Sequence, residues 1–273
     1  MNDRHLLEQH AITPKKSLGQ NFLHDPNALE KIVEIAGLDA GATVLEIGPG
    51  TGNLTRVLAA HAARVIAVEL DTRLIPLLEA ATAGLPGVEI VHGDILEVDI
   101  PALVGRTPYV VVANLPYYIT SAILRRLLET APRPQRLVLT VQREVAERLV
   151  AEPGDMSLLA VSVQFYGQPQ IAMRLNPAEF WPRPDVDSAV VRIDVLDAPS
   201  VAVPDEKLFF RVVRAGFGQK RKQLRNSLSA GLGIAKAQAG DLLGGAGIDP
   251  QRRAETLSLE EWAALTFAVA QAG

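Results

Sequence analysis

Asn114, Leu115, Pro116 and Tyr117 close the apolar run Val110–Ala113, at a place where an ordinary strand would turn on glycine or aspartate. An amide, a rigid turn and an aromatic ring at the mouth of a buried strand could hold a planar base that carries an exocyclic amine. On adenine N6 the amine lone pair is delocalised into the ring, so the nitrogen is a poor nucleophile. If the Asn114 side-chain oxygen and the Leu115 backbone carbonyl each accept one N–H, they favour a pyramidal nitrogen with its lone pair aimed outward. Pro116 keeps that turn rigid, because its ring sets φ and it offers no competing N–H. Tyr117 is placed to stack on the base. A base inside a helix cannot enter such a pocket, so the chemistry requires a flipped or looped-out nucleotide.

The partner for that amine is suggested upstream. "VLEIGPGTGNLT" puts Gly48, Gly50 and Gly52 directly after a strand and before a helix. Glycines there let the backbone bend tightly and approach a ligand, and the helix start offers free N–H groups. The spacing GxGxG departs from the dinucleotide fingerprint GxGxxG. Glu69 ends "RVIAVEL" about one βα unit later, where a carboxylate can accept hydrogen bonds from both ribose hydroxyls. Asp94, in "HGDIL", can accept from an adenine amino group at the next strand end. Taken singly, each carboxylate is equally well read as a solvated strand end or a helix cap; together they point to a cofactor bearing adenosine. NAD and S-adenosylmethionine are the contenders. A dehydrogenase needs a histidine or a Tyr-Lys pair against the nicotinamide and none is evident, whereas Asn114–Tyr117 favours methyl transfer.

These residues must be carried on elements that bring strand ends together. The runs "TVLEIG", "RVIAVEL", "VEIVHGD", "YVVVANL", "RLVLTVQ" and "SAVVRIDV" alternate with helical patterns at residues 53–61, 73–83, 121–130 and 143–151. That alternation predicts an α/β domain with a mostly parallel sheet covered by helices. "LDAPSVAVPDEK" breaks the pattern, and beyond it "LFFRVVRAGF", "QLRNSLSAGL" and "LSLEEWAALTFAVAQA" have helical spacing only. The expected division is residues 1–200 for the α/β domain and 201–273 for a small all-helical one.

Composition excludes several chemistries. The chain has 273 residues, 48% hydrophobic and 21% charged, as in an ordinary globular protein. With no cysteine it has no disulfide, thiolate zinc site, iron–sulfur cluster or cysteine adduct. The five histidines show no HExxH pairing, so no metal is expected. No signal-like segment or bilayer-length apolar run is present, which predicts a cytoplasmic protein with no membrane partner. The net charge of −4 hides an asymmetry: from Asp205 to Arg253 there are ten basic and four acidic residues, a surplus of six that leaves −10 elsewhere. Within that segment Lys220, Arg221, Lys222 and Arg225 are candidate RNA-phosphate contacts, the bland alternative being a solvated helix face. Phe180 and Trp181, followed by Pro182, Arg183 and Pro184, could flank a target base opposite Tyr117, with a core-packing role equally open.

The chain resembles the rRNA adenine N6,N6-dimethyltransferase family. The likeness runs through "KKSLGQNFL" (15–23), "VLEIGPGTGNLT", "VEL", "GDIL", "NLPYYIT", "QREVAERL" (142–149), "FWPRPDVDSAVVRI" (180–193) and "FFRVVRAGFGQKRKQLRNSL" (209–228). It implies a Rossmann-like S-adenosylmethionine-dependent methyltransferase domain with a seven-stranded sheet, followed by a helical rRNA-binding domain. It implies dimethylation of two adjacent adenosines in the 3′-terminal hairpin loop of 16S rRNA, in a precursor of the 30S subunit. Asn21, Leu23, Gly48, Glu69, Asp94 and Asn114 would line the cofactor site, and "LGQNFL" would be a flap over it. The chain departs from the family pattern at Met156–Ala160, Ala113 and Tyr118. Two other readings remain: an adenine N6-methyltransferase of 23S rRNA, or a ribosome-assembly factor whose methylation is secondary. A monomer is expected, since no apolar helix face is obviously left over.

Overall fold

The computed structural model describes residues 3–15, 18–116 and 119–272. Its frame is a seven-stranded sheet: β1 (Thr43–Ile47), β2 (Arg64–Glu69), β3 (Val88–His92), β4 (Tyr109–Asn114), β5 (Arg136–Gln142), β6 (Gly167–Leu175) and β7 (Ser188–Val195). Their order is β3-β2-β1-β4-β5-β7-β6. β1 pairs in parallel with β2 and with β4, as do β2 with β3 and β4 with β5, while β7 runs antiparallel to β5. All five residues of β1 are buried, as are the first five of β4, which is why these segments read as mainly apolar with no alternation of polar positions, Glu46 being the charged exception in β1.

The crossovers are the helices Asn53–Ala59, Ile75–Thr82, Ile100–Val104 and Thr120–Glu129. Ahead of β1 stands the amphipathic helix Pro26–Ala36, which the residue pattern did not single out. Asp25 caps it by accepting from the Ala28 N–H at 2.9 Å, Pro26 opens it, and left-handed Gly37 (φ 57°) ends it. It buries Ala28, Leu29, Ile32, Val33 and Ala36 in the core formed with Val44, Val65, Val112, Val138 and Val190.

The chain forms two compact units, Met1–Ala146 with Gln168–Val195, and Glu147–Gly167 with Leu196–Gly273. This differs from the expected single crossing near residue 200. The reason is the helix Leu158–Tyr166, whose aromatic end belongs with the later helices. Phe165 stacks on Phe209 with centroids 4.5 Å apart and meets Phe210 edge-on, and the Tyr166 hydroxyl donates to Glu206 at 2.8 Å. β6 also escaped the pattern. It is "GQPQIAMRL", with a proline and alternating exposed positions, because it is the edge strand of the sheet.

The second unit is helical: Leu158–Tyr166, Glu206–Phe217, Leu224–Leu232, Lys236–Gly245 and Leu259–Ala272. Two glycines let its helices close. A Cβ on Gly216 would lie 2.3 Å from the ring of fully buried Trp262, and one on Gly231 would lie 2.6 Å from the Ala215 backbone. No helix among the described residues is long and apolar enough to cross a membrane.

Candidate active site

Parallel pairing gathers the strand ends on one edge. Ile47 is level with Val68 and Ala113, Glu69 with His92, and Asn114 with Thr140. β1 lies between β2 and β4, so the order in which strands are added reverses there, and the crevice beyond the carboxyl ends of such strands is where α/β sheets take ligands. A cleft open to solvent lies at this point. Its walls include Asn21, Gly48, Gly50, Glu69, Asp94, Asn114, Leu115 and Pro116.

The glycine loop leaves room. Gly48 has φ 67°, and a Cβ built on it would meet nothing closer than the Asn114 carbonyl at 3.9 Å, so the space beside it belongs to the cleft. Gly50, at φ 59°, is bare for another reason: a Cβ there would lie 2.8 Å from the Phe22 ring, which packs over the loop. Phe22 and Leu23 form a two-residue strand antiparallel to Phe180–Trp181, and this anchors the N-terminal segment over the strand ends.

Two carboxylates face inward with different surroundings. Glu69 is 5% exposed; its Oε2 accepts from the Gly50 N–H at 3.0 Å and its Oε1 from the Asp71 N–H at 2.8 Å. Burial raises its pKa, and those N–H groups pull the other way. Each oxygen keeps a further lone pair for a ligand hydroxyl. Asp94 is half-buried, and its Oδ1 accepts from the Leu96 N–H at 2.8 Å, so the strand-end cap is realised as well. Between them the wall is apolar, with Val68, Leu70 and Ile95. Leu70 is 43% exposed, a large apolar surface that a purine would cover.

Asn114 is half-buried, and its Nδ2 donates to the backbone carbonyl of Asn21 at 2.8 Å. Among the described residues no donor reaches its Oδ1. The Leu115 N–H is spent on the Thr140 carbonyl at 3.0 Å. The Pro116 carbonyl accepts from the Ile119 N–H and the Thr120 hydroxyl, both at 3.3 Å, so it starts the next helix. Among the described residues, the acceptors that face an incoming amine and have no donor on them are the Asn114 side-chain oxygen and the Leu115 carbonyl.

Beneath the glycine loop lies a group the sequence reading did not single out. Glu46 in β1 is 1% exposed, and neither of its oxygens has a hydrogen-bond partner among the described residues. Burial pushes its pKa up to about 8; the nearby Thr55 hydroxyl lowers it without closing a hydrogen bond, and Glu69 adds to the rise. Below the unfolded value both states hold the proton. As pH rises towards 8 the unfolded chain releases it while the folded chain keeps it, so stability falls across that window and levels off above it. Glu46→Gln is expected to gain stability over the parent at pH 8 by up to roughly 4 kcal/mol, with little difference at pH 4.5. Thermal unfolding at both pH values checks this, and a gain that does not change with pH would contradict it.

Three expected residues are not brought to the cleft. Leu23 is in the core, its carbonyl accepting from Asn53 Nδ2 at 3.4 Å, and it does not line the cleft. Phe180 is 3% exposed, packed in the same core, so its ring has no free face for a base; Trp181 packs against Leu7, Phe22, Leu74 and Leu77. The apolar anchoring of the N-terminal segment uses up both rings. Tyr117 lies outside the described residues. In the helical unit Lys220, Arg221, Lys222 and Arg225 are all exposed and none is in an ion pair among the described residues. Arg211 and Arg214 line a concavity there with Gln219, Ser227 and Gly231.

Comparison with known proteins agrees in kind. A family model described as ribosomal RNA adenine dimethylase matches residues 12–268. The chain is 47% identical over 260 residues to the ribosomal RNA small subunit methyltransferase A of Dehalococcoides mccartyi strain CBDB1, covering 95% of this chain and 89% of the relative. It is also 47% identical over 272 residues to that of Moorella thermoacetica, covering 96% and 94%. Among solved structures it is similar to a dimethyladenosine transferase from Plasmodium falciparum (TM-score 0.79, 26% identity, 92% and 98% covered). It is similar too to the 23S rRNA methyltransferase ErmE (TM-score 0.73, 29% identity, 92% and 100% covered).

Proposed function

Since the chain belongs to the ribosomal RNA adenine dimethylase family, we propose that its cleft transfers methyl groups to N6 of two adjacent adenosines in the 3′-terminal hairpin loop of 16S rRNA. The protein is an S-adenosylmethionine-dependent rRNA adenine dimethyltransferase. The observation that carries the site reading is Asn114, held through Nδ2 by the Asn21 carbonyl with Oδ1 open to the cleft that Glu69 and Asp94 also line.

The cleft suits an adenosine-bearing donor: an open face at Gly48, two carboxylates, and an apolar wall between them. Glu69 would accept from the ribose hydroxyls and Asp94 from the adenine amine, with Asn21, Gly48, Gly50 and Asn114 completing the contact. S-adenosylmethionine supplies an electrophilic methyl group on a sulfonium sulfur.

Everything else the chain does by position. Asn114 Oδ1 and the Leu115 carbonyl accept the two N–H groups of the target amine, drawing its lone pair out of the ring. Pro116 keeps both acceptors in one orientation, and Tyr117 would stack on the base. The new C–N bond would form as the methyl–sulfur bond breaks, its electron pair staying on sulfur as the neutral thioether S-adenosylhomocysteine; the nitrogen is left positively charged, and the N–H proton so acidified passes to water. The contribution is one of proximity and orientation, which dominates when no covalent intermediate is needed. Lys220, Arg221, Lys222 and Arg225, with Arg211 and Arg214 alongside, would hold rRNA phosphates. The protein acts as a cytoplasmic monomer on a precursor of the small subunit.

The test is to supply labelled S-adenosylmethionine with unmethylated small subunits, large subunits or naked rRNA and to map the modified nucleoside. Dimethyladenosine in the small subunit is expected. Label confined to 23S rRNA would favour the activity named for ErmE, and RNA binding without label would favour an assembly factor.

A further inference from the structure

We infer that Gln20, Asp71 and Arg73 are positioning residues for the transfer: they fasten the N-terminal segment so that the Asn21 carbonyl fixes which way the Asn114 amide points. The inference rests on the role given to Asn114 above.

Among the described residues of the N-terminal segment, 12–15 and 18–21 belong to no strand, and Leu18–Asn21 line the cleft. Its polar anchorage converges on one carboxylate. Asp71 Oδ2 accepts from Gln20 Nε2 at 3.0 Å and from Arg73 Nη2 at 2.6 Å; Oδ1 accepts from Arg73 Nε at 2.9 Å and from the Arg73 N–H at 3.2 Å. The Asp71 side chain is 1% exposed, so these bonds are sheltered from water. Gln20 in turn accepts the Lys15 N–H through Oε1 at 2.7 Å, and Arg73 Nη1 donates to the Thr13 carbonyl at 3.2 Å. Two points of the segment are thereby tied to the loop after β2. The Arg73 guanidinium holds the Asp71 carboxyl well below the usual carboxylate range, and the anchor stays charged at neutral pH.

The consequence lies one residue beyond Gln20. An asparagine amide presents an acceptor on one side and a donor on the other, and turning it over exchanges them. With the Asn21 carbonyl 2.8 Å from Nδ2, the acceptor faces the cleft. Without that carbonyl the reversed amide would aim an N–H at a substrate N–H, which cannot bond to it. The anchor also reaches the cofactor side, because the Asp71 N–H donates to Glu69 Oε1. Asp71 therefore joins the carboxylate proposed for the ribose to the amide proposed for the base.

Gln20→Ala removes the tie next to Asn21 while leaving the Arg73–Thr13 bond in place and Phe22 packed on Gly50. At saturating cofactor and rRNA its turnover is expected to fall about tenfold, the scale of one sheltered hydrogen bond to a charged group. Affinity for S-adenosylhomocysteine, read by calorimetry, should stay within about threefold, and the thermal midpoint should fall by a few degrees, as for any lost sheltered hydrogen bond. Unchanged turnover, or a loss of turnover matched by an equal loss of affinity, would overturn the inference. A double-mutant cycle gives a second reading: if Gln20 works through Asn114, Gln20→Ala adds nothing to Asn114→Ala, whereas multiplied losses would contradict it. An inactive parent, or an Asn114→Ala variant as active as the parent, would instead strike the functional reading itself.

Discussion

Asn114→Ala is expected to lower methyl transfer about 10²–10³-fold, the cost of losing one preorganised hydrogen-bonding group at a reacting centre. The variant removes the open Oδ1 acceptor, and the Nδ2 bond to Asn21 goes with it. Because the side chain is only half-buried at the end of β4, the strand's pairing with β1 and β5 is untouched, and the thermal midpoint should move little. Cofactor affinity should change less than turnover, since Glu69, Asp94 and the glycine loop remain. Single-turnover rates with saturating small subunits, beside S-adenosylhomocysteine binding, separate the two effects. Parental turnover in this variant would remove the role assigned to Asn114.

The second large effect is electrostatic. Arg221→Glu with Lys222→Glu should weaken binding to small subunits about ten- to a hundredfold at low salt, and flatten the slope of log affinity against log salt by about two. Both residues are exposed and free of ion pairs among the described residues, so the substitution disturbs no internal contact. The chain is acidic overall, and the basic surplus between Asp205 and Arg253 is what an RNA backbone would meet. Turnover on bound substrate should be close to the parent's. Unchanged affinity and slope would make this run a solvated helix face.

How much of this was legible in the residues differs from element to element. The mainly apolar runs of β1, β2, β4 and β5 announce strands buried on both faces, and parallel strands must end on a common edge. Gly48, Glu69 and Asn114 could therefore be grouped before any coordinates, since each follows or ends such a run, and Asp94 joins them from just beyond the less buried β3. The edge strand β6 could not, because half of its side chains face solvent and its pattern is polar. Helix Leu158–Tyr166 was silent for the opposite reason. It is apolar on most sides, so its composition does not say which unit it joins.

The amino-acid order by itself determined six of the seven strands, three of the four crossover helices and the set of groups at the strand ends, because periodicity and strand direction are local properties that propagate by simple rules. Tertiary structure alone decided that Phe180 and Leu23 serve the core, that the Pro116 carbonyl is spent on the next helix, and that Gln20 and Asp71 meet across 51 positions and Asn21 and Asn114 across 93. Contacts so distant in the chain leave no repeat or spacing to read; they exist only once the packed sheet has brought the segments together.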